Sequence, residues 1–260
     1  MSRSALITGA SGGIGYELAL LFARDGFDCI LVARSQQKLE ELAARLESEF
    51  RAKTQVIPRD LSRPAAVDEI YEEVTASSTP LEALVNNAGF PVFGPFVETD
   101  LKAELEMLQV NVVALTALTK LFLRPMVERR SGRILNLAST AAFLPGPLMA
   151  AYYASKAYVL SFSEALANEL RGTGVTVTAL SPGPTRTGFQ KRGAMEDSRL
   201  VQGNIADARS VALAGYRGMM SGKTLVIPGF SNKLIPWVVR LSPRGVVPRV
   251  VHRMQERVSH

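Results

Sequence analysis

Histidine and cysteine are almost missing from this chain of 260 residues. The two histidines, His252 and His260, lie near its end, and Cys29 is the single cysteine. A Ser-His-Asp hydrolase needs a histidine as its base, and zinc sites are built mainly from histidine and cysteine. The composition therefore disfavours a serine hydrolase and a metal site. Cys29, inside an apolar run, is expected to be a core residue in a reducing compartment.

Long uncharged hydrophobic segments are lacking as well. The apolar stretch after Ser2 is too short for a signal peptide, and no segment shows the uncharged length of a membrane span. With 47% apolar and 21% charged residues, the chain is long enough to bury one large core. We expect one soluble domain in the cytoplasm.

An evenly basic surface is also missing, although the net charge is +6. Beyond Pro228 lie six basic residues and one acid, Glu256, so this tail carries +5 and the rest of the chain is nearly neutral. A general nucleic-acid-binding surface is therefore not expected.

What the chain does contain is an alternation of short apolar runs with longer amphipathic ones, which is typical of βαβ units around a parallel sheet. The predicted strands are Ala5–Thr8, Cys29–Ala33, Gln55–Ile57, Ala83–Asn86, Ile134–Ala138, Val175–Leu180 and Leu225–Ile227. The predicted helices are Ile14–Arg24, Gln37–Phe50, Pro64–Thr75, Leu101–Arg130, Tyr153–Arg171 and Ala206–Met220. Ser62 is expected to cap the third of these helices, with Pro64 in its first turn.

Three irregular stretches, Phe90–Asp100, Phe143–Met149 and Pro182–Asn204, each follow a predicted strand. Ligands of open α/β sheets bind at the carboxyl ends of the strands. We therefore expect these stretches to gather around a ligand site.

A glycine-rich turn, Thr8–Gly15, joins the first predicted strand to the first predicted helix. Its glycines allow a tight turn and close approach to a pyrophosphate, and the free N–H groups at the helix start attract phosphate charge. A strand-to-helix connection can also need glycine for geometry alone. The order of strand, glycines and helix favours a dinucleotide site.

Tyr152 and Lys156 are four residues apart at the start of a predicted helix, and Ser139 ends the strand before it. Side chains four apart share one helix face, so the Lys156 ammonium is expected beside the Tyr152 phenol, where it would lower the phenol pKa. Such a pair suits a proton donor near neutral pH, although the spacing alone also arises by chance. Tyr153 is assigned to packing or to the pocket wall.

Together these motifs resemble the short-chain dehydrogenase/reductase family, in its compact single-domain branch of the NADP type. The matches run in order along the chain: Thr8 with the Gly-x-x-x-Gly-x-Gly turn, Asp60, Asn86-Asn87-Ala88-Gly89, Asn111, Ser139, Tyr152, Lys156 and Pro182-Gly183. The resemblance implies a Rossmann-type, doubly wound parallel sheet of seven strands in one catalytic domain, residues 1–229. Residues 230–260 would form a basic amphipathic C-terminal extension.

The end of the second predicted strand bears on the cofactor. Folds that select NAD usually carry an acid about twenty residues beyond the glycines, whereas an arginine suits the 2′-phosphate of NADP. Here Arg34 stands in that place with no acid nearby. The sequence predicts NADP(H), the alternative being that Arg34 is a solvated surface residue.

The resemblance also assigns roles to individual residues. Tyr152 would donate the proton, Lys156 would hold the nicotinamide ribose, Ser139 would bind the substrate oxygen, and Asn111 would kink its helix and help to hold a proton-relay water. The cofactor-binding residues would be Gly9, Ser11, Gly13, Ile14, Gly15, Arg34, Asp60, Leu61, Asn87, Ala88, Gly89, Tyr152, Lys156, Pro182, Gly183, Thr185 and Thr187. Taken singly, Asp60 could instead cap a turn.

The predicted loops are rich in apolar side chains, which suit a hydrophobic carbonyl or alcohol substrate or which simply close the core. They are Phe90, Phe93, Phe96, Phe143, Leu144, Met149 and Phe189.

The extension mixes apolar and basic residues in a helix-like way before Pro243 and Pro248 interrupt it. It either packs on the body or a sister subunit, which we favour, or contacts a membrane surface or an acyl carrier.

The leading hypothesis is NADPH-dependent reduction of a ketone, aldehyde or oxoacyl group, reversible as alcohol oxidation. A 3-oxoacyl reductase is a narrower form of it. The resemblance also suggests a homodimer or homotetramer packed through the helices of Leu101 and Tyr153. The alternative is a catalytically silent NADP-binding regulator or scaffold. Ser139, Tyr152 and Lys156 weigh against that alternative, because a pure binder needs no proton donor.

Overall fold

A parallel sheet of seven strands forms the centre of the computed structural model, which describes residues 3–76, 79–189, 193 and 205–256. The strands are β1 (Arg3–Thr8), β2 (Phe27–Ala33), β3 (Thr54–Pro58), β4 (Leu81–Asn86), β5 (Gly132–Leu137), β6 (Val175–Leu180) and β9 (Leu225–Val226), while β7 (Thr185–Arg186) and β8 (Ala206–Asp207) pair separately. The large sheet has the order β3-β2-β1-β4-β5-β6-β9. The predicted doubly wound α/β fold of one domain is confirmed.

Helices cover both faces of this sheet. They are α1 (Gly13–Arg24), α2 (Gln36–Phe50), α3 (Ala66–Thr75), α4 (Leu101–Leu108), α5 (Leu115–Glu128), α6 (Ala150–Glu169), α7 (Ala208–Met220), α8 (Phe230–Leu241) and α9 (Val246–Gln255). Helices α1, α2 and α7 share one core, and α3, α5 and α6 share the other. Neighbouring strand residues divide between the cores, as Leu6 and Ile7 do, because side chains alternate across a sheet that is buried on both faces.

The strand order reverses at β1, which pairs with β2 on one side and with β4 on the other. Connections from these strands therefore leave toward opposite sides and open a crevice at their carboxyl ends, where ligands of such sheets bind. The predicted irregular stretches begin after β4, β5 and β6, on the same edge. Residues 190–192 and 194–204 of the third stretch lie outside the described residues.

The predicted strand bounds agree with the observed ones to within two residues, but two helix starts were wrong. Helix α6 begins at Ala150, three residues before the predicted Tyr153. Helix α3 begins at Ala66, and Ser62 does not cap it. The Asp60 carboxylate accepts a hydrogen bond from the Ser62 N–H at 3.0 Å, and the Arg63 N–H bonds back to the Asp60 carbonyl at 3.0 Å. The chain therefore closes a turn at this point before the helix can begin.

The described part of the C-terminal extension forms α8 and α9, and residues 257–260 lie outside it. Helix α8 ends before Pro243, as predicted, whereas Pro248 does not interrupt the chain. It stands in the first turn of α9, where backbone N–H groups have no helical partner to lose. Val251 and Gln255 bury one side of α9 against the body of the protein.

One helical segment, Leu101–Glu128, is long and apolar enough to cross a bilayer by length and composition, contrary to the expectation from the sequence. Leu118, Phe122 and Met126 of this segment are buried, and α5 packs against β4 and β5. A core helix needs the same apolar composition as a membrane span, so this packing accounts for it.

Candidate active site

A cavity of about 890 Å³ opens at the carboxyl ends of the central strands. The predicted site residues that line it are Gly9, Ser11, Gly13, Ile14, Arg34, Asp60, Leu61, Asn87, Ala88, Gly89, Ser139, Tyr152, Lys156, Pro182, Gly183, Thr185 and Thr187. Gly15 and Asn111 do not line it and lie buried behind its wall. One cavity thus brings together residues that are spread over 179 positions of the sequence, from Gly9 to Thr187.

The glycine-rich turn leads straight into α1, which starts at Gly13. Gly13 has φ 56°, in the left-handed region that favours glycine, and a Cβ there would lie 2.8 Å from Cγ2 of Thr187. A Cβ on Gly15 would lie 2.4 Å from both Nδ2 of Asn87 and the Gly9 carbonyl oxygen. No larger residue fits at these positions, so the free N–H groups of α1 can face the cavity at close range.

Thr8 and Asn87 fix this turn to the end of β4. The Asn87 amide donates hydrogen bonds to the carbonyl oxygens of Thr8 at 2.9 Å and Gly9 at 3.2 Å. The Thr8 hydroxyl accepts hydrogen bonds from the backbone N–H groups of Asn87 and Ala88, both at 3.0 Å. Asn87 therefore shapes the cradle of the turn in addition to lining the cavity.

Three cations gather at one end of the cavity, of which the sequence indicated only Arg34. Lys38 and Arg59 also line this end. Arg59 pairs with Glu69 and Glu73, whereas Arg34 and Lys38 make no ion pair with any residue that the structure describes. No local sequence signal marked Arg59, because its place near Arg34 follows from the observed register of β2 and β3, in which Ala33 pairs with Pro58.

Ser139, Tyr152 and Lys156 meet in the middle of the cavity. The Lys156 ammonium donates a hydrogen bond to the Leu137 carbonyl oxygen at 2.7 Å and lies 5.8 Å from the centre of the Tyr152 ring. Ser139 follows β5 and hydrogen-bonds with Tyr152, while its oxygen also accepts the Ala141 N–H at 3.1 Å. The predicted trio is thus held together by one strand end and the first turns of α6.

The pKa values of this pair do not follow the sequence-based expectation. Burial raises the pKa of Tyr152, and the hydrogen bond with Ser139 offsets this only in part. Burial also lowers the pKa of Lys156 to about 8. The predicted lowering of the Tyr152 pKa by Lys156 was wrong for this arrangement, because both groups are desolvated and the ammonium is directed at a backbone carbonyl.

Asn111 lies in a π-helical turn, Gln109–Ala114, that joins α4 to α5. Its amide donates to the Phe90 carbonyl at 3.1 Å and to the Ser155 hydroxyl at 3.2 Å, and its oxygen accepts the Phe90 N–H at 3.1 Å. A Cβ on Gly89 would meet the Asn111 oxygen at 2.9 Å. Asn111 therefore ties the distorted helix to the loop after β4 and to α6, and its role in a proton relay stays a prediction.

A buried polar network beneath the site was missed from the sequence. The Asn86 amide donates to Thr119 at 3.0 Å and to Asn136 at 2.9 Å, and Asn136 donates to Ser163 at 2.9 Å. These side chains belong to β4, α5, β5 and α6, so the network holds together the elements that carry Ser139 and Tyr152. Asparagine inside an apolar strand, at positions 86 and 136, was the available signal.

The apolar wall of the cavity was predicted only in part. Leu144, Met149 and Phe189 line it. The other four predicted residues do not, because Phe90 and Phe93 pack into the core under the loop, Phe143 packs in a smaller cluster and Phe96 is 64% exposed. An apolar loop residue does not reveal from sequence which way its side chain points.

Part of the wall comes instead from the C-terminal helices. Asn232, Ile235, Val251, Met254 and Gln255 line the cavity, and the Gln255 amide donates to the Tyr153 hydroxyl at 2.5 Å. Tyr153 itself lines the cavity, in keeping with its assignment to the pocket wall. The sequence motifs of residues 1–229 gave no sign that the C-terminal extension would line the cavity.

The described residues contain no group of three or more His, Cys, Asp or Glu side chains that could hold a metal ion.

A glycine turn at the switch point of a doubly wound sheet, facing a Ser-Tyr-Lys group in the same cavity, defines a dinucleotide-dependent oxidoreductase. A model of the short chain dehydrogenase family matches residues 3–197, and the chain belongs to this family. The resemblance inferred from the sequence is thereby confirmed.

Curated relatives and solved structures agree with this assignment. The chain is 36% identical over 193 residues to a very-long-chain 3-oxoacyl-CoA reductase of Phaeosphaeria nodorum, covering 72% of this chain and 56% of that protein. It is 35% identical over 185 residues to 17-beta-hydroxysteroid dehydrogenase type 3 of Mus musculus, covering 70% of this chain and 60% of that one. The chain thus spans less than two thirds of the length of these relatives. A short-chain dehydrogenase from Sphingobium yanoikuyae in complex with NADPH superposes with a TM-score of 0.84 at 31% identity, covering 95% of both chains.

Proposed function

We propose that this protein uses NADPH to reduce the carbonyl group of an apolar substrate, and that it catalyses the reverse oxidation of the alcohol. The observation that carries the proposal is the cavity of about 890 Å³ at the carboxyl ends of the central strands. This cavity is lined by the cationic residues, the glycine turn, the Ser139–Tyr152–Lys156 group and the apolar wall.

The residues at the cradle and the cationic end fit NADP(H). The pyrophosphate would lie against the glycine turn and the start of α1, and the 2′-phosphate would meet Arg34, Lys38 and Arg59. The NADPH complex of the Sphingobium yanoikuyae relative supports this choice. Bound NADPH would supply a hydride to the carbonyl carbon.

The chain's own residues would manage the charge and the proton at the carbonyl oxygen. Negative charge builds on this oxygen as the carbon is reduced, so hydrogen-bond donors aimed at it accelerate the reaction. Ser139 would donate such a bond, and the Tyr152 O–H would bond to the same oxygen and release its proton to it. Lys156, with a pKa near 8, would then help to return a proton to Tyr152.

The apolar wall of Leu144, Met149, Phe189 and Ile235 supports a hydrophobic substrate. Two relatives are named for a very-long-chain 3-oxoacyl thioester and for a 17-beta-hydroxysteroid. Both names describe a ketone or secondary alcohol on a large apolar body. We therefore propose this class of substrate, with 3-oxoacyl thioesters as the narrower form.

The proposal is tested by following the loss of NADPH absorbance with a panel of aldehydes, apolar ketones and 3-oxoacyl thioesters. Turnover is expected with apolar ketones, and the Tyr152→Phe variant should lose at least about a thousandfold in kcat. Tyr153→Phe is the matched control, because it removes a neighbouring hydroxyl outside the proton path. NADPH binding without turnover of any substrate by the unaltered protein would favour the silent NADP-binding regulator instead.

We further propose a homodimer or homotetramer that packs through the helices α4 to α6, where Leu101, Leu105, Val113 and Tyr158 are exposed. Exposed apolar side chains on neighbouring helices support such an interface.

The single buried cysteine, Cys29, supports a reducing compartment such as the cytoplasm.

A further inference from the structure

Helix α8 carries a row of large apolar side chains that the rest of the described protein does not cover. Phe230, Leu234, Trp237, Val238 and Leu241 are between 49% and 84% exposed. At 3.6 residues per turn they fall within an arc of about 100° on the helix. We call these five residues the outer face of α8.

The opposite side of α8 is already in use. Asn232 and Ile235 line the catalytic cavity, and Asn232 packs close to Gly183. A helix that is apolar on both sides is normally buried on both sides, and here the body covers only one of them. The outer face therefore lacks a partner of apolar character.

Helix α9 repeats this arrangement. Val251 and Gln255 are buried, whereas Val246, Val250 and Met254 are spaced four residues apart along the outside and are about half exposed. Met254 also lines the cavity. The exposed apolar surface thus borders the mouth of the catalytic cavity.

The charge of this region identifies its partner. Between Phe230 and Gln255 there are five basic residues, Lys233, Arg240, Arg244, Arg249 and Arg253, and no acidic residue. Arg217 and Lys223 line a groove together with Lys233 on the body of the protein. We call these two residues and the five basic residues of the extension the basic belt. Pairing with a second copy of the chain through the same face would bring these cations against each other, because such contacts are self-complementary. Apolar side chains flanked by cations fit a negatively charged lipid surface.

We propose that α8 and α9 dock on an anionic lipid bilayer, with the outer face of α8 inserted among the acyl chains and the basic belt at the headgroups. Docking in this way sets the mouth of the cavity at the membrane surface. An apolar carbonyl substrate dissolved in the bilayer could then enter without crossing water. Such entry of a substrate rests on the proposed function, whereas the docking itself does not.

Trp237 provides a direct probe, because it is the only tryptophan in the chain. The full chain is mixed with phosphatidylcholine vesicles and with vesicles that also contain phosphatidylglycerol, and binding is measured by flotation and by Trp237 emission. We expect a blue shift and flotation with the anionic vesicles only, reversed by high salt because salt screens the headgroup charge. Leu241→Glu should weaken binding at least about tenfold. Val97→Glu, at an equally exposed position outside the extension, should bind normally.

The docking proposal is overturned if the unaltered protein floats with neither vesicle, or if Leu241→Glu and Val97→Glu bind alike. An oligomer that dissociates in Leu241→Glu, without vesicle binding by the unaltered protein, would assign the outer face to a second copy. Saturable binding of an acyl carrier protein in place of vesicles would assign it to that carrier. Turnover of a water-soluble ketone by Leu241→Glu at the normal rate keeps the docking test separate from the test of catalysis.

Discussion

Tyr152 is surrounded so that it keeps its proton. The sequence suggested the reverse, because a lysine four residues away stabilises a phenolate when both groups are solvated. In the fold both side chains are buried, and the Lys156 ammonium bonds to the Leu137 carbonyl instead. A tyrosine that stays protonated is ready to donate, which suits the direction of carbonyl reduction. Spacing predicted which residues meet but could not predict how much water remains around them.

Lys156 should leave a pH signature in stability. A fall in its pKa from the usual 10.5 to about 8 means that the unfolded chain binds more protons between these values. Stability then rises with pH across this window, and the charged buried lysine costs about 3 kcal/mol below it. The free energy of unfolding of Lys156→Met minus that of the unaltered protein should therefore be larger near pH 7 than near pH 11, by about 3 kcal/mol. Urea unfolding at the two pH values measures it.

Lys120→Met serves as the matched control for this comparison, because Lys120 is exposed. Its stability difference from the unaltered protein should not change across the window. Since Tyr152 titrates in both proteins, its contribution cancels largely in the difference. A Lys156→Met difference that is the same at both pH values would contradict the shifted pKa.

Arg34 should decide between the two nicotinamide cofactors. It lines the cationic end of the cavity with Lys38 and Arg59, where the 2′-phosphate would lie. Arg34→Asp removes a guanidinium fork and adds a like charge, so the KM for NADPH should rise at least about tenfold while that for NADH changes little. Steady-state kinetics with both cofactors measures this. Arg171→Asp, at an exposed position away from the cavity, is the control, and an equal effect of Arg34→Asp on both cofactors would refute the assignment.

At the scale of elements, strands were predictable and their surroundings less so. The five inner strands are short, largely buried apolar runs, whereas the edge strands β3 and β9 are only partly buried and were found from the alternation of strands with helices. The start of α3 was missed because the bonds of Asp60 to Ser62 and Arg63 outcompete a cap at Ser62. The π-helical turn has no periodicity of its own to read, and only the family resemblance pointed to a kink at Asn111.

Contacts between distant elements were the hardest part to foresee. The glycine turn, Ser139, Tyr152 and Lys156 could be placed at one site because parallel strands end at one edge. The Gln255–Tyr153 bond joins α9 to α6 and depends on how whole helices pack, for which a single sequence carries no local signal. The Asn86–Asn136 bond depends on the register of the neighbouring strands β4 and β5, so the sequence could mark the two asparagines as unusual but could not pair them.

At the scale of the whole molecule, the described residues expose two apolar surfaces, and we expect each surface to bind a different partner. The first lies on α4 to α6 and includes Leu105, which is 56% exposed, and Val113 in the π-helical turn. It has no basic belt like that of the extension, so a second copy of the chain can approach it without strong repulsion. The second is the outer face of α8.

Leu105→Glu should therefore convert the proposed oligomer into a smaller species, because it places a charge in a contact that a second copy would bury. Light scattering coupled to size-exclusion chromatography measures the mass, and circular dichroism checks that the variant is folded. Leu241→Glu should leave the mass unchanged, because its surface faces lipid in our proposal. If Leu241→Glu lowers the mass and Leu105→Glu does not, the partners of the two surfaces must be exchanged: the subunits would join through α8, and the helices α4 to α6 would be free.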